Sequence, residues 1–212
     1  MLGADTALDV PVVASHEEYF AALPSRRKTR LRKEKAQYVE QGLRTVVRSG
    51  RNAVTDDLVV LQAQLRAKHG MSGDLEQVRK EFFDIRDTVG DSVVVVSAER
   101  DGEVVGFTLC LYDKDRNELY ARSSGFDHDA PGLYFALVYQ EIPAWAADHG
   151  IRRIYFGTST YEAKRARGCA MLPLYGQLRF TAEGGELLHR ATALQALGET
   201  RGLEALGATV ID

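Results

Sequence analysis

The stretch from Ser92 to Tyr112 limits the possible folds more than any other part of this chain. It reads SVVVVSAE, then Arg-Asp-Gly-Glu, then VVGFTLCLY. A continuous β-branched run is what a strand buried on both faces requires. Asp101-Gly102 between two such runs is a hairpin signal, because a tight turn that matches strand twist needs positive φ, which Asp and Gly tolerate. After a second turn over 113–117, ELYARSSGF at Glu118–Phe126 reads as the third strand of a meander. The period then changes. Pro131 suits a first helical turn, and Gly132–His149 carries Leu133, Leu137, Ile142 and Trp145 at helical spacing. Pro143 lacks an N–H and crowds the carbonyl of Tyr139, so a kink is expected there. Arg152–Phe156 (RRIYF) reads as a short strand. A strand, a helix and a strand in that order predict a right-handed, parallel crossover.

The remaining elements are built around this frame. Residues 1–14 read as a loose leader, and Ser15-His-Glu-Glu as the start of a short helix that Leu23-Pro24-Ser25 breaks. Ser25 is expected to cap a second helix that runs to about Gln41 and stops at Gly42. Its apolar stripe is thin, Leu31 and Tyr38, which predicts a surface helix. Leu43–Arg48 reads as a strand. Val54–Lys68 and Asp74–Val89 read as helices, with Leu58, Leu61 and Leu65 in the first and Val78, Phe82 and Ile85 in the second. After the polar turn Gly157-Thr158-Ser159, Tyr161–Arg167 reads as a short basic helix ended by Gly168. Met171–Phe180 reads as an irregular extended segment, and residues 184–206 as a C-terminal helix. The order implies an α/β fold with one mixed central sheet, containing a β-meander and a parallel crossover. The expected organisation is 1–24 leader and short helix, 25–42 basic helix, 43–182 the α/β domain, and 183–212 a helical tail.

Composition removes several function classes. No apolar run approaches the ~18–20 residues of a membrane helix, and no basic start followed by an apolar stretch marks a signal peptide. A cytoplasmic protein with no membrane partner is the expectation. Cys110 and Cys169 belong to no C-x-x-C pair, so two reduced, buried thiols are expected in place of a disulfide framework or zinc site. His16, His69, His149 and His189 have no acidic cluster beside them, and no metal site is expected. The net charge is −3, but its distribution is uneven. Arg26, Arg27, Lys28, Arg30, Arg32, Lys33 and Lys35 face only Glu34 in their segment. Such a cluster either attracts a phosphate-rich partner or is a solvated helix face.

The element order and the hairpin resemble the GNAT acyltransferase fold, which implies helices on both faces of the sheet and a single GNAT-like domain. The segment from Gly125 to Gly168 is similar to the C-terminal half of Fem-type aminoacyltransferases of peptidoglycan biosynthesis. The likeness rests on Ala146–Gly150 ending a helix, Phe156-Gly157 ending a strand, and Lys164-Arg165-Ala166-Arg167-Gly168 on a helix. The basic entry helix resembles the arginine-rich helix joining the two halves of such proteins. The likeness covers roughly residues 25–180. The sequence departs from the pattern twice. Where GNAT enzymes carry a basic, glycine-rich pyrophosphate loop, this chain has Gly125-Phe-Asp-His-Asp-Ala-Pro-Gly132, whose Asp127 and Asp129 repel phosphate. Fem-type proteins also have two GNAT-like halves, and this chain has room for about one, so it is either a single-domain relative or a half that needs a dimer partner.

The resemblance implies transfer of an acyl or aminoacyl group from a phosphate-bearing carrier, acyl-CoA or aminoacyl-tRNA, to an amine on a small molecule or peptide. Such chemistry needs a polarised carbonyl, a deprotonated amine and a held carrier. Lys164 aligns with the family's helix lysine and is the candidate cation for an oxyanion or a carrier phosphate. Arg165, Arg167 and Gly168 are candidates for carrier contacts. Asp127 and His128 are candidates for binding or deprotonating the amine. Asp129, which stands nearer Pro131, either shares that role or caps the helix that follows. Tyr120, Arg122 and Ser124 alternate along one strand and are expected to share one face, either a lined pocket or an exposed surface. Tyr134 and Tyr139 are either pocket walls or core. A non-catalytic binding module of the same fold, working through the basic helix on nucleic acid, is the alternative reading.

Overall fold

The computed structural model describes residues 3–10, 16–127, 130–158 and 160–174. The expected helix over 184–206 and most of the segment Met171–Phe180 lie outside them, as do Ser15, His128, Asp129 and His189. The chain divides into two compact units. One runs from Asp9 to Tyr155, and the other joins Met1–Leu8 to Phe156–Asp212.

In the first unit, the meander strands β3 (Val93–Arg100), β4 (Glu103–Asp113) and β5 (Glu118–Phe126) lie side by side. They pair antiparallel, and β2 (Arg44–Ser49) pairs antiparallel with the outer side of β3. At the hairpin tip Asp101 has φ 54° and Gly102 φ 89°, the two positive values that the Asp-Gly pair predicts. The short strand β6 (Arg153–Tyr155) joins β5 in parallel, as the crossover requires.

Helices cover both faces of this sheet. On one face α3 (Asp56–Lys68) and α4 (Leu75–Val89) bury Leu58, Leu61, Val78 and Phe82 against Val93, Val95, Phe107 and Leu109. Phe82 meets Phe107 edge to face at 5.9 Å. Asp74 caps α4, its carboxylate accepting from the Gln77 amide at 2.8 Å. On the other face stand α5 (Leu133–Ala136), a π-helical turn (Leu137–Glu141) and α6 (Ile142–Asp148). The π turn ends at Glu141, two residues before Pro143, whose missing N–H removes one bond from the helical ladder.

Two glycines on neighbouring strands set how closely these layers approach. A Cβ on Gly125 would stand 2.6 Å from the Leu61 carbonyl carbon and 2.8 Å from the Gln62 amide nitrogen. That is backbone of α3, which has no side-chain torsion to give way. A Cβ on Gly106 would stand 2.8 Å from Leu133 Cδ2 and 2.9 Å from Phe126 Cδ1, on the opposite face. Gly106 pairs with Phe126, and Gly125 with Phe107.

α1 (His16–Ala22) and α2 (Ser25–Glu40) precede β2. Ser25 is the first residue of α2 and not its cap; Pro24 holds the cap position, and its carbonyl accepts from the Arg27 and Lys28 amides. The buried residues of α2 are Leu31 and Tyr38, the thin stripe read from the sequence. The Tyr38 hydroxyl and Thr45 Oγ1 lie 3.0 Å apart, and Thr45 Oγ1 donates to Glu141 at 2.6 Å. Glu99, only 2% exposed, accepts from Arg44 at 3.0 Å and Arg48 at 2.6 Å. Cys110 and Cys169 are free and buried, and burial pushes the Cys110 thiol up to about 12.

In the second unit β1 (Gly3–Asp9) pairs antiparallel with β7 (Ala170–Leu174) over Gly3–Ala7, and α7 (Tyr161–Arg165) precedes β7. β1 corrects the expected loose leader. GADTALD has little strand propensity of its own, and its ladder with a distant segment holds it extended.

Gly125→Ala is expected to cost about 1–3 kcal/mol through overpacking against the α3 backbone, measurable by urea unfolding; an unchanged midpoint would refute the close approach. Burial, with the Glu141 and Glu99 carboxylates, pushes the Tyr38 phenol from 10.0 up to about 12, against the opposing pull of the Thr45 hydrogen bond. Between those values the unfolded chain has lost the proton that the folded chain retains. Stability should therefore be unaffected by this group below pH 10 and fall above it, by about 1.4 kcal/mol per pH unit. Tyr38→Phe should remove that component of alkaline unfolding.

Candidate functional site

The parallel ladder between β5 and β6 is short. It pairs Glu118 with Arg153, Leu119 with Ile154 and Tyr120 with Tyr155. β5 runs on to Phe126, so in this unit its 121–126 edge extends past its parallel partner. At the ladder's end Tyr120 and Tyr155 stack, ring centroids 4.6 Å apart and planes 3° from parallel. The Tyr120 hydroxyl donates to Glu118 at 2.8 Å, and desolvation together with that carboxylate pushes its pKa up to about 12.

A bulge redirects the side chains of β5. Cys110 pairs with Ala121 and Leu109 with Ser123, which leaves Arg122 as the extra residue. Leu111 pairs with Tyr120 and Thr108 with Ser124, so Tyr120 and Ser124 fall on opposite faces of the sheet. This corrects the shared face expected from simple alternation of Tyr120, Arg122 and Ser124. Ser124 Oγ lies 3.1 Å from Thr108 Oγ1, and Arg122 is exposed.

Asp127 follows the open edge. Its amide donates to the Val105 carbonyl at 2.8 Å, and its carboxylate lies 3.6 Å from Arg100 across the hairpin. Tyr134 stands next to Phe126, edge to face at 5.2 Å, and its hydroxyl is 3.1 Å from that of Tyr139. Tyr139 is buried and Tyr134 partly so. The loop leading into α5 leans on α2 through a hydrogen bond from Gln41 Nε2 to the Pro131 carbonyl at 3.1 Å.

Lys164 belongs to the second unit. It is 3% exposed, and its ammonium donates to the carbonyls of Phe156 and Gly157 at 2.8 Å each and of Thr158 at 3.1 Å. An ammonium has three N–H donors, so this turn accounts for all of them. Burial pushes its pKa below the ordinary lysine value, and Cys169 and Asp5 pull it back. Thr6 reinforces the same turn: its Oγ1 donates to the Gly157 carbonyl at 2.7 Å, and its carbonyl accepts from the Phe156 amide at 2.8 Å. Thr160, at the start of α7, has φ 48°. A β-branched residue in that region is strained, and such strain clusters at functional turns. Arg167 is buried and donates to the Ala163 carbonyl at 3.0 Å, Arg165 is exposed, and Gly168 follows the helix with φ 93°.

Sequence reading missed the carbonyl acceptors of Lys164 and the part played by Thr6. Backbone acceptors leave no residue-type signal, and Thr6 lies in the segment taken for a leader. Among the described residues no group of three or more His, Cys, Asp or Glu side chains is placed to hold a metal ion. No described helix is long and apolar enough to cross a membrane.

Solved structures of similar fold include the C-terminal domain of a putative lysylphosphatidylglycerol synthetase from Agrobacterium fabrum, 16% identical, with a TM-score of 0.63 over 91% of this chain and 65% of that one. FemX is similar at 9% identity, TM-score 0.58, over 80% of this chain and 59% of that one. L-PGS from Bacillus licheniformis is similar at 14% identity, TM-score 0.52, over 89% and 64%. The chain thus spans less than two thirds of each of these structures. A search of curated proteins finds no match to the sequence. The family model FemAB-like, described as peptidoglycan biosynthesis/recognition, matches residues 7–185. By that match over most of its length, the chain belongs to the FemAB-like family.

Proposed function

We propose that this protein transfers an aminoacyl group from tRNA to an amine on a peptide related to peptidoglycan precursors. The observation that carries the reading is the β5 edge, which continues from Ala121 to Phe126 after its parallel ladder has ended at Tyr120. Backbone N–H and C=O groups along such an edge can hold an extended peptide or the amide arm of a carrier. Arg122 and Ser124 lie on that stretch. In this reading Tyr134, which packs on Phe126, and Tyr139, whose hydroxyl it meets, serve as its walls, and Tyr120 stands where the edge begins.

In the transfer, the acceptor nitrogen attacks the ester carbonyl carbon and the carbonyl π pair moves onto oxygen. Collapse of the tetrahedral intermediate breaks the bond to the tRNA ribose oxygen, which leaves with a proton. Asp127, held by Arg100, takes the proton from the acceptor ammonium, and His128 beside it serves the same relay. Lys164 has a positioning role within the second unit, where three carbonyls fixed on one ammonium give Phe156–Thr158 a single shape. Arg165, Arg167 and Gly168 serve the carrier end.

Two features favour tRNA over acyl-CoA as donor. The loop at 125–132 carries Asp127 and Asp129 where a pyrophosphate would need positive charge, and α2 displays exposed cations suited to an RNA backbone. In this reading the protein works in the cytoplasm, and a second copy supplies the half that two-domain relatives carry in one chain. A non-catalytic binding module is the second reading. The observation that favours it is the Lys164 ammonium, whose three donors are all engaged by backbone.

Transfer from radiolabelled aminoacyl-tRNA to a peptide amine, with acyl-CoA as the competing donor, separates the readings. Asp127→Asn is expected to lower kcat about 100-fold or more with the thermal midpoint preserved; transfer at the wild-type rate would remove the assigned base. Lys164→Met should destabilise the fold by about 1–3 kcal/mol for each carbonyl left without a donor. A stable Lys164→Met variant with unchanged transfer would end its positioning role, and absence of transfer from either donor would favour the binding module.

A further inference from the structure

An open cavity of about 750 Å³ lies between α1, α2 and the π turn. That is the size of a small-molecule site. From α2 it is lined by Arg32, Lys35, Ala36, Val39 and Glu40. These positions fall at i, i+3, i+4, i+7 and i+8, one face of a helix. Phe20 of α1 closes one side, and Gln140 and Glu141 of the π turn form the floor.

The wall has an apolar centre and donors without an assigned acceptor. Val39 is 60% exposed, an apolar side chain the fold leaves uncovered, with Ala36 and the Phe20 ring beside it. The Arg32 guanidinium lies over the Phe20 ring at 5.5 Å. Gln140 is 8% exposed, and its Nε2 has no hydrogen-bond partner among the described residues. A buried amide donor left unsatisfied costs stability unless something accepts from it, and this one sits on a π-helical turn, a feature common at functional sites. The Glu141 carboxylate accepts from Lys35 on one oxygen and from Thr45 Oγ1 on the other. Glu40 is the remaining acid, eight residues and ~12 Å along the helix from Arg32. The end of the cavity near Arg32 and Lys35 is therefore cationic and rich in donors, and its middle is apolar.

We propose that this cavity binds a small amphiphilic anion, with a carboxylate or phosphate head at Arg32 and Lys35 and an apolar body along Phe20, Ala36 and Val39. The site is separate from the β5 edge and does not depend on the proposed transfer reaction. It also accounts for two of the seven cations of the basic segment, which the donor reading treats only as a charge cluster.

Isothermal titration of the full chain with decanoate, decyl phosphate, inorganic phosphate and decyltrimethylammonium tests the proposal. At least one decyl anion should bind, and decyltrimethylammonium should not; the two anions together distinguish a carboxylate from a phosphate head. Arg32→Ala should weaken binding by about tenfold through loss of a charge-assisted hydrogen bond. Val39→Glu, at an exposed position that tolerates the change, should abolish it. Binding of neither decyl anion, equal binding of the decyl cation, or affinity indifferent to Arg32→Ala and Val39→Glu would each overturn the proposal. Inorganic phosphate binding as tightly as decyl phosphate would do so as well, since the apolar wall would then contribute nothing.

Discussion

The close packing of α3 onto the sheet at Gly125 is the constraint on which the first unit depends. Backbone meets backbone there, at a separation that leaves no room for a methyl group. Gly106 performs the matching service on the opposite face, where Leu133 and Phe126 occupy the space a side chain would fill. The two glycines face each other's neighbours across the β4–β5 ladder. Layers that would otherwise stand a side chain's thickness apart are drawn onto the same few residues from both sides. Gly125 also immediately precedes Phe126 and Asp127, so the end of β5 is held by packing rather than by a parallel partner.

That support is needed because β5 loses its parallel neighbour early. A strand edge without a ladder presents unpaired polar backbone, which a fold must cover, twist away or use. Here the bulge at Arg122 rotates the side chains of the strand, and Ser124 is drawn to Thr108 on one face while Tyr120 turns to the other. The remaining edge is short, rigidly backed and polar. The second unit shows the same economy on a smaller scale. One ammonium, buried at a desolvation cost, gathers three carbonyls, one of which Thr6 also binds, and Thr6 ties the same turn by a second bond to the Phe156 amide.

What could be read from the residues follows from where the physical signal is local. The meander strands, their Asp-Gly turn, α3, α4 and the helix before β6 were all legible, because hydrophobic period and turn chemistry are carried by neighbours in sequence. β5 matched its expected bounds, Glu118–Phe126. β1 was invisible, since GADTALD becomes a strand only by pairing with Ala170–Leu174, more than 160 residues away. Strict alternation failed at Arg122 because a bulge depends on register with the partner strand and not on the strand's own residues. Lys164 could be singled out as a residue that matters. Its partners could not, because carbonyl acceptors belong to the backbone and every sequence supplies them.

The basic segment shows how one run of charge divides among several tasks once it is helical. Lys28 reaches back to the Ala21 carbonyl at 2.7 Å, joining α2 to α1. Lys35 binds Glu141, which in turn holds Thr45 and, through it, Tyr38. Arg32 lies over Phe20. Helical geometry therefore commits three of the seven cations, Lys28, Arg32 and Lys35, to contacts with α1 and the π turn, and leaves residues such as Arg26 and Arg30 exposed. A purely solvated face would not join three elements, and a pure nucleic-acid surface would not commit its cations to partners within the fold. The arrangement is better understood as a joint whose outer side remains positive: removing inward-facing cations should loosen the fold, whereas removing outward-facing ones should change only what the surface attracts.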